Sequence, residues 1–180
     1  MLASDNEELI QRARFLATQA RSPAPWYEHH EVGYNYRLSN IAAAIGIGQM
    51  HILDQRVERK RAIFEHYKAR LEVAEGITFM PEYEDSRATR WLSVIQIDAG
   101  IFGADPETIR LRLEEDNIES RPVWKPMHLQ PVFAGERCFG GAVSEKLFAQ
   151  GLCLPSGTGM TDSQIDHICD ILLFCSGKSA

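Results

Sequence analysis

Residues 28–46 read EHHEVGYNYRLSNIAAAIG, and the change of character inside this stretch organises the rest of the chain. Up to Arg37 it belongs to a loop-like segment, residues 22–37, in which Pro23, Pro25 and Gly33 alternate with Trp26, Tyr27, His29, His30, Tyr34 and Tyr36. Prolines and glycine prevent a regular element there, yet the segment is too aromatic for a linker. Ser39 then supplies an N-cap, and helical spacing predicts one long helix over 39–75, stopped at Gly76, which can take the left-handed conformation. Ile41 to Met50 is small and apolar on nearly every side, as expected of a segment buried all round, between subunits for example. Further on, Leu53, Val57, Phe64, Tyr67 and Leu71 form one apolar stripe. Arg56, Arg59, Lys60, Arg61 and Lys68 lie elsewhere and are expected to form a solvated face.

Upstream, Ser4 and Glu7 have capping-box spacing, and Leu9, Ala13, Leu16 and Ala20 recur at helical intervals, which predicts a helix over 4–21. An amphipathic helix opening so close to Met1 suggests a preceding element for it to pack on. Downstream the pattern turns to short strands and helices. Ile77–Phe79, Trp91–Ile97, Ile118–Val123 and Gly151–Leu154 are expected strands. Asp105 and Pro106 open a helix reaching about Asn117, residues 142–150 form another, and the Thr161/Gln164 capping box starts a last one with Ile165, Ile168 and Leu172 inward. The predicted class is α+β, a small sheet covered on one face by helices and hung on the long helix. Three regions follow: residues 1–38, the connecting helix 39–75, and a small domain 76–180.

Composition narrows the function. The 180 residues are 44% hydrophobic and 24% charged with net charge −6, which suits a globular chain with one core. Lys and Arg are scattered, so the basic stripe that nucleic acid requires is missing. The longest apolar run, Ile41 to Ile47, is far shorter than the roughly 20 residues that span a bilayer, and a cytoplasmic location is expected. Cys138, Cys153, Cys169 and Cys175 contain no CxxC pair and are expected to be small apolar fillers. The adjacent His29 and His30 point apart in an extended chain, so loop residues facing solvent are expected rather than a metal site.

Two further stretches are as distinctive as the first: ESRPVWKPMHLQPVF at 119–133 and GLCLPSGTGMTDSQIDHI at 151–168. In this order, and with LASDNEELIQRARFLATQAR at 2–21, they resemble the C-terminal portion of the DegT/DnrJ/EryC1/StrS family of sugar-nucleotide aminotransferases, over essentially the whole chain. The resemblance implies the C-terminal small domain of a fold-type-I aminotransferase, with residues 1–38 a remnant of the large cofactor-binding domain. It further implies pyridoxal 5'-phosphate as cofactor, a homodimer with active sites at the subunit boundary, and amino transfer from an amino acid such as glutamate to a nucleotide-linked keto-sugar.

Asn35 matches the position that reaches the cofactor phosphate of the partner subunit. An amide donor just ahead of a helix N-terminus suits an anion. Arg37 could pair with a cofactor or substrate phosphate through its planar guanidinium. The plainer roles are a turn residue beside Gly33 and a structural salt bridge. In 119–133, Pro122, Pro126 and Pro131 stiffen the chain. There Trp124 could wall or stack on the sugar nucleotide, Lys125 neutralise its diphosphate and His128 hydrogen-bond to it. Core-edge tryptophan, surface lysine and satisfied histidine are the alternatives.

In this chemistry a lysine forms a Schiff base with the cofactor, and the resemblance places it upstream of Met1. None of Lys60, Lys68, Lys125, Lys146 and Lys178 has the matching context. The 180 residues alone are therefore expected neither to retain the cofactor nor to transaminate, and need a homo-oligomer or a separate N-terminal half. A non-catalytic module of the same fold, binding a sugar nucleotide, dimerising or regulating, is the alternative.

Overall fold

The structure is a computed structural model that describes residues 2–177. It divides into two compact units, one ending at Ile52 and one beginning at Leu53, so the border falls inside the region expected as a single connecting helix. Lys178 lies outside the described residues.

The first unit opens with α1 (Glu7–Ala17), capped by Asn6, whose side chain accepts the Leu9 N–H at 3.0 Å. Ser4, the expected cap, instead accepts the Asn6 N–H at 3.1 Å. Two residues nearer the helix, the asparagine side chain takes the capping position. The helix stops short of residue 21 because Gln19 and Ala20 adopt φ +67° and +50°, which turns the chain back on itself. Leu16 and Ala17 carbonyls then accept the Tyr34 and Tyr36 N–H groups at 2.7 and 3.1 Å, and Tyr34 returns its carbonyl to Gln19. Gly33 is required at this return, since a Cβ would lie 2.2 Å from the Ala20 nitrogen and the Gln19 carbonyl carbon.

Ser39 caps α2 (Asn40–Met50) through the Ala42 N–H, as the sequence predicts. The helix does not run on to residue 75, however. At Ile52 the bonding tightens to an i−3 contact with Gln49 at 3.2 Å, after a turn already weakened by Gly46 and Gly48, each worth about 1 kcal/mol of lost helix preference. No residue of α2 is buried, and Ile41, Ile45, Ile47 and Met50 are all well exposed.

The second unit begins with α3 (Leu53–Leu71), which buries Ile63, Phe64, Tyr67 and Leu71. The inward stripe therefore starts later than expected, for Leu53 is exposed. At its end Gly76 takes φ +92° beside Phe102, where a Cβ would meet the Phe102 nitrogen at 2.7 Å. The sheet has four antiparallel strands in the order β1-β2-β4-β3: β1 (Ile77–Phe79), β2 (Ser93–Ile97), β3 (Arg121–Pro122) and β4 (Gly151–Leu154). Period-two alternation turns Ser93, Ile95 and Ile97 of β2 inward with their partners Leu154 and Leu152. They meet Ile63, Tyr67 and Leu71 of α3, Ile109 and Leu113 of α5 (Pro106–Glu115), and Ile165, Ile168 and Leu172 of α7 (Asp162–Cys175) in one core.

The α+β class, the Asp105 cap with Pro106, α6 (Ala142–Gln150) and the Thr161/Gln164 capping box all match expectation. Two expected strands are shorter. Residues 118–123 yield only β3, because Pro122 has no N–H to extend a ladder and Asn117 sits at φ +58°. Residues 91–97 lose Trp91 and Leu92, which follow Arg90 at φ +50°. A helical turn that the spacing did not predict, α4 (Ala99–Phe102), is capped by Asp98 and seats Phe102 in the core.

Candidate functional site

In the second unit, the loop 80–92 between β1 and β2 and the segment after β3 bring two indoles together. Trp91 and Trp124 stand 5.8 Å apart, tilted by 33°. Both remain nearly two-thirds exposed. With Arg121, Cys153, Ser120 and Ser156 they line a cleft of about 400 Å3 at the end of the sheet. Ser120 is buried at the cleft wall and its hydroxyl has no partner among the described residues.

The other residues of 119–133 are placed differently. The Lys125 side chain is exposed, and its carbonyl accepts from the Gln130 amide at 3.3 Å. His128 points away into a separate cleft with Phe133, Cys138 and Phe139. There its Nε2 meets Glu145 Oε1 at 2.9 Å, and its ring lies against Gly141, where a Cβ would come within 3.0 Å. Trp124 and His128 thus line different clefts, and the partner of Trp124 is Trp91, a residue outside the three distinctive stretches.

The loop 80–92 is held by the very charges expected to form a solvated face of α3. Arg61 donates to Glu82 at 3.0 Å and to the Ala88 carbonyl at 2.7 Å. Glu82 accepts the Ala88 N–H at 2.6 Å in turn, and these contacts, Arg61 foremost, hold its carboxyl below the usual carboxylate range. Lys60 donates to the Trp91 carbonyl at 2.9 Å, and partial burial lowers its pKa. Arg56 and Arg59 reach the loop 155–161, binding Thr158 at 2.9 Å and both the Met160 carbonyl and Asp162. Arg56, Arg59, Lys60 and Arg61 are thus tethers, while Lys68 is exposed as expected.

In the first unit, Asn35 forms an antiparallel bridge with Thr18. Tyr34 and Tyr36 on either side of it stack at 5.3 Å and 15°. Alternation along an extended segment puts Asn35 and Arg37 on the opposite side from this stack. Both are exposed, and among the described residues neither side chain has a hydrogen-bond or ion-pair partner. An amide and a guanidinium presented together with unused donors fit the phosphate end of a cofactor. His29 binds the Gln19 carbonyl at 2.8 Å and His30 pairs with Glu28.

Burial raises the thiols of Cys153 and Cys175 and pushes Cys169 up to about 12, so all three stay protonated fillers. Among the described residues no group of three or more His, Cys, Asp or Glu could hold a metal ion, and no helix is long and apolar enough to cross a membrane.

Comparison with solved structures gives the same fold class. DesI, solved in the presence of its TDP-sugar product, superposes with a TM-score of 0.82 at 22% identity, over 98% of this chain and 45% of that one, which establishes the shared aminotransferase fold. The sequence pattern of the DegT/DnrJ/EryC1/StrS aminotransferase family matches residues 1–173, and the chain belongs to that family. EpsN of Bacillus subtilis, which carries the name of a pyridoxal phosphate-dependent aminotransferase, is 48% identical over 177 residues, 96% of this chain and 45% of EpsN. A GDP-perosamine synthase of Vibrio cholerae is 32% identical over 178 residues, 96% of this chain and 47% of that protein. The chain spans about half the length of the curated relatives it matches.

Proposed function

We propose that these residues form the C-terminal part of a pyridoxal-phosphate-dependent aminotransferase that moves an amino group from an amino acid, glutamate for instance, to a nucleotide-linked keto-sugar. Residues 76–180 are its small domain and residues 1–38 part of the large cofactor-binding one. When bound, the cofactor supplies the electron sink that lets an amino group leave one substrate and enter another. On this reading Asn35 and Arg37 bind its phosphate or that of the substrate, from one protomer toward its partner. Trp124 walls the nucleotide sugar, and Lys125, on the exposed segment beside it, screens the diphosphate. His128 acts through Glu145, holding the segment to α6.

The observation that carries the substrate side is the cleft walled by Trp91 and Trp124. Calorimetric titration of the chain with UDP-glucose, TDP-glucose and GDP-mannose tests it. Measurable binding of at least one, lost in Trp124→Ala, is expected; no heat with any of the three would sink the reading.

The chemistry also needs a lysine amine at the cofactor aldehyde. Lys60 is engaged at the Trp91 carbonyl, and the chain alone is proposed to be inactive. Mixing it with pyridoxal phosphate should give no saturable visible absorbance, and a borohydride-trapped adduct on one defined lysine would refute this.

A further inference from the structure

Arg90 precedes the cleft's first tryptophan and holds an unusual conformation. Its φ of +50° lies where non-glycine residues are rare, and such a backbone persists only where surrounding contacts over-determine it. Three contacts do so. Arg90 Nη1 donates to the Met80 carbonyl at 2.8 Å, Nη2 lies 3.5 Å from Glu82, and the guanidinium carbon sits 3.9 Å from the centre of the Phe64 ring. Phe64 is itself buried and meets Phe79 edge-on at 5.4 Å. Only 11% of the Arg90 side chain reaches solvent. One residue later, Lys60 of α3 fixes the Trp91 carbonyl.

What this buried, strained anchor delivers is an exposed side chain. Trp91 contributes nothing to the core, and its indole stands against Trp124 across the cleft mouth. Packing alone does not call for a left-handed arginine here, because the loop 80–92 is already tied to α3 through Arg61 and Glu82. Presentation of the indole does. We infer that Arg90 is a positioning residue: by fixing the backbone turn ahead of Trp91, it sets Trp91 against Trp124 and so builds the aromatic wall of the nucleotide-sugar cleft. The inference rests on the reading of that cleft given above.

Arginine suits the task because its guanidinium carbon sits over the Phe64 ring while two nitrogens of the same rigid fork reach Met80 and Glu82. Glycine would accept the backbone conformation and lose all three anchors. Lysine would keep the charge without the planar fork.

Two adjacent indoles give an exciton couplet in the far-ultraviolet circular dichroism of the ligand-free chain, and its loss in Trp91→Phe and in Trp124→Phe assigns it to this pair. Arg90→Gly should lose most of the amplitude while still unfolding cooperatively, with Arg90→Lys in between. A folded Arg90→Gly with the wild-type couplet overturns the proposal. If Arg90→Gly does not unfold cooperatively, Arg90→Lys decides: a partial fall supports the positioning role, and an unchanged couplet refutes it. Calorimetry with whichever of UDP-glucose, TDP-glucose and GDP-mannose the wild type binds supplies the second arm, in which Arg90→Gly should bind about three- to tenfold more weakly, the scale of one aromatic contact. A variant that loses the couplet yet binds like wild type refutes the link to the cleft. Should wild type bind none of UDP-glucose, TDP-glucose and GDP-mannose, the reading of the cleft fails, while the couplet still judges Arg90.

Discussion

Deleting a buried hydroxyl should have opposite effects at two positions of the same core. Ser93 and Tyr67 are both fully buried. The Tyr67 hydroxyl donates to the Pro155 carbonyl at 2.9 Å, whereas the Ser93 hydroxyl has no partner among the described residues. The Ser93 backbone keeps its own bond, N–H to Ser156 Oγ at 2.9 Å, whatever the side chain. A buried hydroxyl without a partner costs about 1–3 kcal/mol, and removing one oxygen from a packed site forfeits up to about 1 kcal/mol of contact. Ser93→Ala should therefore stabilise the second unit by about 0.5–2 kcal/mol. Tyr67→Phe loses a made bond and strands a carbonyl, a loss of about 1–2 kcal/mol. For a unit of this size 1 kcal/mol moves Tm by roughly 3–5 °C, so the two variants should melt on opposite sides of wild type. Urea unfolding with a common m-value provides the free energies. A Ser93→Ala variant less stable than wild type would refute the reasoning, because it would mean that the hydroxyl is paired in solution.

Gly33→Ala should destabilise the first unit by about 3 kcal/mol or more, since the new Cβ meets backbone that cannot move aside; hydrogen exchange across residues 7–36 should rise, and unchanged protection would count against the close approach. Asp105→Ala should cost about 1 kcal/mol as the loss of a helix cap. Hydrogen bonds from Thr108 hold the Asp105 carboxyl below the usual carboxylate range, so its contribution is complete above about pH 4 and disappears as the pH falls through the lowered value. An acid-unfolding profile unchanged in Asp105→Asn would contradict that. The exposed apolar residues of α2 should drive self-association at micromolar concentration; light scattering should show it weakened in Ile45→Glu, and a strictly monomeric wild type would be inconsistent with it.

What could be read from residues alone was whatever chemistry is local. The Thr161/Gln164 box and the Asp105–Pro106 start each depend on contacts within three or four positions, and both stand where the spacing put them. The long helix failed because its break is weakly marked: no proline lies between 39 and 75, and Gly46 and Gly48 only lower helix preference ahead of His51–Ile52, where the backbone turns tighter. The tethering arginines were misassigned because their partners are remote. Arg61 and Glu82 are 21 positions apart, Arg59 and Asp162 103, and a charged helix face looks the same whether it meets solvent or a returning loop. Trp124 stood out by its proline-rich company, but Trp91 did not, because its importance comes from a contact with a ring remote in sequence. Ser93 and Arg121 flank β4 through their partners Leu154 and Cys153, but the two indoles, 33 positions apart in sequence, meet only through the segments outside those pairings. The left-handed Arg90 belongs with them, for a positive φ is set by what the side chain grips, and the ring it grips lies on another element.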